Sequence, residues 1–252
     1  MRYETLTLAD DGRVATLTLD RPEAGNATNM KMVRELVAAC EHLADHSKAE
    51  VLVLRGAGGV FCAGIDLADF EPGHAADIHG FHKWEQACTA IEKLPKITIA
   101  QINGECVGGG AQLALVCDFR LMARGARIGF NEVRLGFIPG LATFRLAKFI
   151  GLGRAKSIVL TSRMLDAEEA ERIGLVDRLY DPTDADAALA KTIEGFLPFN
   201  SVSLELTRRL MNESYAVEYE DFVGHFLAAQ HRSISDEPFA AHIAKARTKI
   251  SD

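Results

Sequence analysis

The sequence predicts an α/β fold, with strands concentrated in its first half and a helical C-terminal region. Three observations carry this reading. Residues 51–54 form an unbroken apolar run, the pattern of a strand buried on both faces, and residues 97–102 form a second, mostly apolar run that reads as another strand. Each run is followed by a glycine-rich turn, at residues 56–59 and 108–110. Stretches of helical spacing lie between and after these segments. The chain has 252 residues, 48% hydrophobic and 25% charged, enough for one large domain with a small C-terminal appendage.

Taken in order, residues 3–8 and 14–19 read as a hairpin turned at Asp10-Asp11-Gly12. Pro22 stops the second strand, because proline cannot donate to a ladder. Residues 29–46 place Met32, Leu36, Val37 and Cys40 on one helical face. The polar stretch 71–79, with Pro72-Gly73, reads as a loop, and residues 81–94 as a helix. Pro95 precedes the strand at 97–102; a helix is expected at 111–117 and short strands at 119–122 and 127–130. Beyond Leu141 the pattern is mainly helical, broken at residues 151–153, Gly174, Pro182 and Pro198. The pattern has no clean βαβ alternation and no usable internal repeat.

Composition excludes several classes. The net charge of −7 and the absence of a basic stripe argue against a nucleic-acid partner. The five cysteines are odd in number and form no CxxC pair, which points away from a disulfide framework or zinc ribbon and toward a reducing, cytoplasmic setting. No run is apolar and long enough to span a membrane, so no membrane partner is expected. His74, His79 and His82 cluster, but no carboxylate or cysteine completes a ligand set, and no metal is expected. Phe81 and Trp84 read as core or cavity-lining residues, and Cys62 as a small buried one. Phe222, Phe226 and Leu227 form a helical stripe suited to a core or a subunit contact.

The glycine turns carry the chemical signal. Glycine permits close backbone approach, and a helix that starts directly after it offers unpaired N–H groups and a positive dipole end. Such a turn can hold a developing oxyanion, although a glycine triplet alone equally suits a tight strand-to-helix turn. It has neither a Walker ending nor GxGxxG spacing.

Several segments in order resemble the crotonase, or enoyl-CoA hydratase/isomerase, superfamily. Arg21-Pro22-Glu23-Ala24-Gly25-Asn26-Ala27 is similar to its RPxxxNA element, and Phe61-Cys62-Ala63-Gly64-Ile65-Asp66-Leu67 to its FxAGxDL element. Residues 103–110 resemble NGxxxGGG, and the blocks around Asn131-Glu132, Ile138-Pro139-Gly140 and Gly174-Leu175-Val176 follow in register. The resemblance spans roughly residues 3–180. It implies a spiral of ββα units over residues 1–195 and a helical oligomerisation region over 196–252, assembling as a homotrimer or hexamer.

By position, it implies that the backbone N–H groups of Ile65 and Gly109 form an oxyanion hole. Coenzyme A, a part of the substrate rather than a permanently bound cofactor, would lie along Ala24, Ala63, Ile65, Asp66, Leu67 and Gly109. Asp66 equally suits the cap of a short helix beginning near Leu67. Of the two acids that typical hydratases of the family use, Glu132 stands at one position and Gln112 at the other. A glutamine can orient a group but cannot cycle a proton near neutral pH. One base suits a double-bond shift, so the resemblance implies an enoyl-CoA isomerase, with a hydratase, a decarboxylase or C–C bond enzyme, or a non-catalytic acyl-CoA scaffold as alternatives. The acyl group could be carried by coenzyme A or by phosphopantetheine on a carrier protein. Lys245, Arg247 and Lys249 are either solvated or near its phosphates.

Overall fold

The computed structural model describes residues 2–69, 78–199 and 201–236, together with 239, 241, 243 and 244. The chain opens as the expected hairpin. β1 (Leu6–Asp10) and β2 (Val14–Leu19) pair antiparallel with Leu8 opposite Leu17. The Asp11 carboxylate accepts from the Arg13 and Val14 amides and closes the turn. Helix α1 (Met30–His46) is capped by Asn29, whose side chain accepts from the Met32 N–H at 2.9 Å. Its Met32, Leu36, Cys40 and Leu43 are buried, as 3.6-residue spacing requires of a core-facing stripe.

Next come β3 (Val51–Gly56), β4 (Val60–Cys62) and α2 (Ile78–Glu92). They are followed by β5 (Ile97–Ile102), β6 (Glu105–Val107) and α3 (Gly109–Leu115). Then β7 (Phe119–Ala123) and β8 (Arg127–Gly129) lead to α4 (Ala142–Ile150) and α5 (Leu152–Thr161). β9 (Met164–Asp166), α6 (Ala167–Arg172), β10 (Arg178–Tyr180) and α7 (Ala185–Glu194) follow.

The strands sort by length. The longer ones, joined at one edge by the short β10, build a six-stranded sheet in the order β1-β2-β3-β5-β7-β10, parallel from β2 onward. The three-residue strands build a second sheet, β4-β6-β8-β9. Each repeat of long strand, short strand and helix therefore serves both sheets in turn: β3-β4-α2, then β5-β6-α3. This is the ββα spiral that the resemblance implies.

Two expectations need correction. Helical crossovers do link the parallel strands, a regularity hidden in the sequence by the interposed short strands. The region beyond Leu141 also contains β9 and β10, which pair with β8 and β7 far upstream. Three residues are too few to show a period, so their pairing was not legible.

Polar clamps hold the units in register. Thr98 donates its N–H and hydroxyl to the Asp118 carboxylate at 2.8 and 2.9 Å, joining the start of β5 to the end of α3. Arg120, 2% exposed, donates to the Leu175 and Cys117 carbonyls, pairs with Asp177 at 2.9 Å, and lies over the Phe149 ring. A buried guanidinium is tolerable only when its donors are satisfied in this way.

The chain divides into two compact units, residues 1–190 and 191–252. In the second, α8 (Ser201–Glu213) and α9 (Tyr219–Ile234) bury Leu206 and Ala229. Phe226 and Leu227 are exposed and Phe222 is half-buried. Among the described residues no helix is long and apolar enough to cross a membrane, and no group of three or more acid, histidine or cysteine side chains could hold a metal ion.

Candidate active site

The two glycine turns meet. β4 and β6 are parallel neighbours, with Cys62 beside Cys106, so their continuations leave the second sheet at the same end. A Cβ built on Gly64 would stand 3.5 Å from the Gly109 nitrogen, which puts the Gly64–Ile65 peptide against the first turn of α3. Thr28 donates its N–H to the Gly64 carbonyl at 2.8 Å. In a trans peptide the carbonyl and the next N–H point in opposite directions, so the Ile65 N–H faces away from Thr28. The Gly108 carbonyl accepts from Gln112 inside the helix, and the Gly109 N–H correspondingly points out of the helix end. Among the described residues, neither amide donates to a protein acceptor.

Glu132 lies over this turn. A short 3₁₀ turn, residues 132–135, holds it, and its carbonyl accepts from the Phe137 N–H at 2.9 Å. Gly108 has φ 55 and ψ −117, and a Cβ there would stand 3.0 Å from Glu132 Oε1. Glycine suits position 108 for its positive φ, and a Cβ there would in addition press on the Glu132 carboxylate. Glu132 is 6% exposed; Oε1 accepts from Gln112 Nε2 at 3.2 Å, while Oε2 is buried with no partner among the described residues. Burial pushes the Glu132 carboxyl above its ordinary range, partly offset by its own backbone N–H and by the Gln112 amide. Gln112, 2% exposed, accepts at Oε1 from Trp84 Nε1 at 3.3 Å.

The flank is built by backbone. Asn26, fully buried, donates to the Ala57 and Val60 carbonyls and accepts from the Arg21 N–H. Ala63 donates its N–H to the Gly25 carbonyl, which lays residues 24–25 beside Ala63. Ala63 and Leu67 are exposed, and Ala24 and Ile65 half-buried. The Asp66 carboxylate accepts from the Ala68 N–H and pairs with Arg21 at 2.9 Å. Both contacts are internal, as its capping alternative requires.

Ile65, Gly109, Gln112 and Glu132 are therefore gathered at one place, with Ala24, Ala63, Asp66 and Leu67 along one side. Other residues fall elsewhere. His79 and His82 are exposed on α2, which already begins at Ile78, so His79 lies in a helix and not in the expected loop. Phe81 is 41% exposed and is not a core residue. His74, Lys245, Arg247 and Lys249 lie outside the described residues. Cys62 is fully buried and accepts from the Gly64 N–H at 3.4 Å; burial raises its thiol to about 12. The Trp84–Gln112 bond had no signal in the sequence.

Comparison with known proteins agrees with this geometry. The family model described as enoyl-CoA hydratase/isomerase matches residues 10–214. A Rhizobium meliloti protein named "Probable enoyl-CoA hydratase" is 37% identical over 226 residues, covering 86% of each chain. An enoyl-CoA isomerase/hydratase of Mycosarcoma maydis is 39% identical over 217 residues, covering 80% of this chain and 78% of that one. A Thermobifida fusca protein solved in complex with acetoacetyl-CoA superposes with a TM-score of 0.83 at 27% identity, over 92% of this chain and 95% of that one. The extent of these matches, together with the paired glycine turns, places the chain in the enoyl-CoA hydratase/isomerase family.

Proposed function

We propose that the chain moves the double bond of a 3-enoyl-CoA to the 2 position, with Glu132 as the single base. The observation that carries this is the Gln112–Glu132 hydrogen bond: an amide stands beside Glu132 where a second carboxylate would give two acids. The thioester oxygen accepts from the Ile65 and Gly109 N–H groups. Glu132 Oε2 takes a proton from C2, charge spreads over the dienolate and the thioester oxygen, and the proton returns at C4. Nothing is consumed, and one carboxyl completes the cycle. The pantetheine lies along Ala24, Ala63 and Leu67, and coenzyme A enters as part of the substrate. Copies of the chain associate through the exposed apolar residues of the C-terminal unit.

Water addition is the second reading, favoured by the hydratase names among the relatives. Turnover of a 3-enoyl-CoA and of the matching 2-enoyl-CoA separates the two. Rapid 3-to-2 conversion without product hydration supports the shift. Fast hydration of the 2-enoyl thioester would overturn it.

The pH profile offers a further check. The base must be ionised, and burial holds its pKa above the ordinary 4.5. kcat/KM is therefore expected to rise with pH through a limb displaced to the neutral side of 4.5, where an exposed carboxylate would already be fully active. A limb at or below 4.5 would remove Glu132 from the role.

A further inference from the structure

Glutamine's amide is nearly symmetric in shape but not in chemistry. Its NH2 can donate to a carboxylate, whereas its oxygen facing a carboxylate would set two acceptors against each other. Something must choose the orientation of Gln112, and the neighbour that does so is an indole. Trp84 Nε1–H can only donate, and of the two amide groups only the oxygen can accept; the indole meets Gln112 Oε1 at 3.3 Å. Gln112 Nε2 is thereby turned to Glu132 Oε1, at 3.2 Å. Gly140 leaves the room that this orientation uses, since a Cβ there would stand 2.5 Å from Gln112 Oε1. All three side chains are buried, at 7%, 2% and 6% exposure, so water does not compete for these bonds.

The same ring reaches the other half of the site. A Cβ on Gly109 would be 3.4 Å from Trp84 Cζ2 and 3.5 Å from Cη2, so the benzo edge packs on the residue carrying one oxyanion amide. The helix that presents Trp84 is itself fixed. Arg145, 6% exposed, spans α4 to α2 through hydrogen bonds to both Glu85 and Glu92, the first of them next to Trp84 in sequence.

We propose that Trp84 is a positioning residue for proton transfer, its indole N–H setting the Gln112 amide so that Glu132 Oε1 is held and Oε2 is left for the substrate. This rests on Glu132 being the base. The Gln112 amide is the side-chain donor that offsets the burial of the Glu132 carboxyl, so its displacement should register in that ionisation.

Trp84 is the chain's sole tryptophan, which gives a direct readout. In protein carrying 15N-labelled indole, a single Nε1–H resonance is expected. Its shift should titrate over the same pH range as the kcat/KM limb, stay flat in Glu132→Gln, and lose its pH response in Gln112→Leu. Trp84→Phe keeps an aromatic ring at this position but removes the donor together with the benzo edge that meets Gly109. kcat on the 3-enoyl-CoA should fall about three- to tenfold, the loss of one neutral hydrogen bond, with KM little changed. The acid limb should move to higher pH, because a freed Gln112 no longer stabilises the carboxylate. Added to Gln112→Leu, Trp84→Phe should cost clearly less than it does alone, since the hydrogen bond it removes is already gone. An indole resonance indifferent to pH, or additive losses in the double variant, would overturn the proposal. If Glu132→Gln retains full turnover, the reading of Glu132 as base fails instead, whatever the indole does. The resonance experiment needs only the unmodified chain, so poor folding of Trp84→Phe would not protect the idea.

Discussion

Glu132→Gln is expected to lose turnover of the 3-enoyl-CoA by about 10²–10⁴-fold, the usual contribution of a positioned base. The substitution preserves the shape that sits over Gly108, where a Cβ would already be 3.0 Å from Oε1, so the oxyanion amides stay where they are. It removes only the ability to take and return a proton. Steady-state rates on the 3-enoyl-CoA measure this, with binding of a non-reactive acyl-CoA unchanged as the check on the site. A variant retaining more than a tenth of the activity would mean that another group moves the proton.

The same substitution is expected to change stability in a pH-dependent way. Burial raises the native pKa of Glu132 above its unfolded value of 4.5. Between those two values the native state binds more protons than the unfolded chain, so the free energy of unfolding falls as pH rises. Above the native pKa the full penalty of a buried, half-satisfied carboxylate remains. A glutamine carries no such penalty. The melting temperature of Glu132→Gln relative to the natural chain should therefore climb from pH 4.5 toward neutrality and then level off. Lost activity with relative gain in stability is what a site built to hold a destabilised base predicts.

How much of this could be read beforehand depended on sequence distance. β3 was legible because its first four residues are consecutively apolar, and β5, all six of whose residues are buried, because its run after Pro95 is mostly apolar. α1 was legible from its stripe and from Asn29 at its start. β9 and β10 were not, since what makes them strands is pairing with β8 and β7 and not their own three residues. The positions of Ile65, Gly109, Gln112 and Glu132 followed from ordered motifs. The Trp84–Gln112 bond spans 28 residues and left no trace. Trp84 and Phe81 lie one turn apart on α2, and nothing in the pattern says that the first is buried against the site and the second 41% exposed. Periodicity locates a face; it does not say what that face meets.

The second large effect is expected at Gly110, a residue that touches no substrate. It stands where α3 crosses the end of β4. A Cβ there would fall deep inside contact distance of the Cys62 carbonyl oxygen, 2.7 Å from the Cys62 Cβ and 3.0 Å from its carbonyl carbon. Two of these atoms are backbone, so no rotamer change relieves the clash; α3 or the segment after β4 must move. Overpacking of this kind costs about 1–3 kcal/mol, and in a chain of this size each kcal/mol lowers the melting temperature by roughly 2–4 °C. Activity should fall further than stability suggests. Gly109 rides on α3 and Ile65 follows Cys62 by three residues, so separating these two elements separates the two amides. A displacement near 1 Å can cost on the order of 10²-fold in rate. Gly110→Ala is thus expected to lower both the melting temperature and kcat, whereas Gly153→Ala, with open space around it inside α5, should gain about 0.4–1 kcal/mol and leave turnover unchanged. Thermal melts and steady-state rates on the two alanine variants decide the matter. A Gly110→Ala protein that melts and turns over like the parent would show that the two turns do not need to touch, and the paired amides would lose their claim to act as one site.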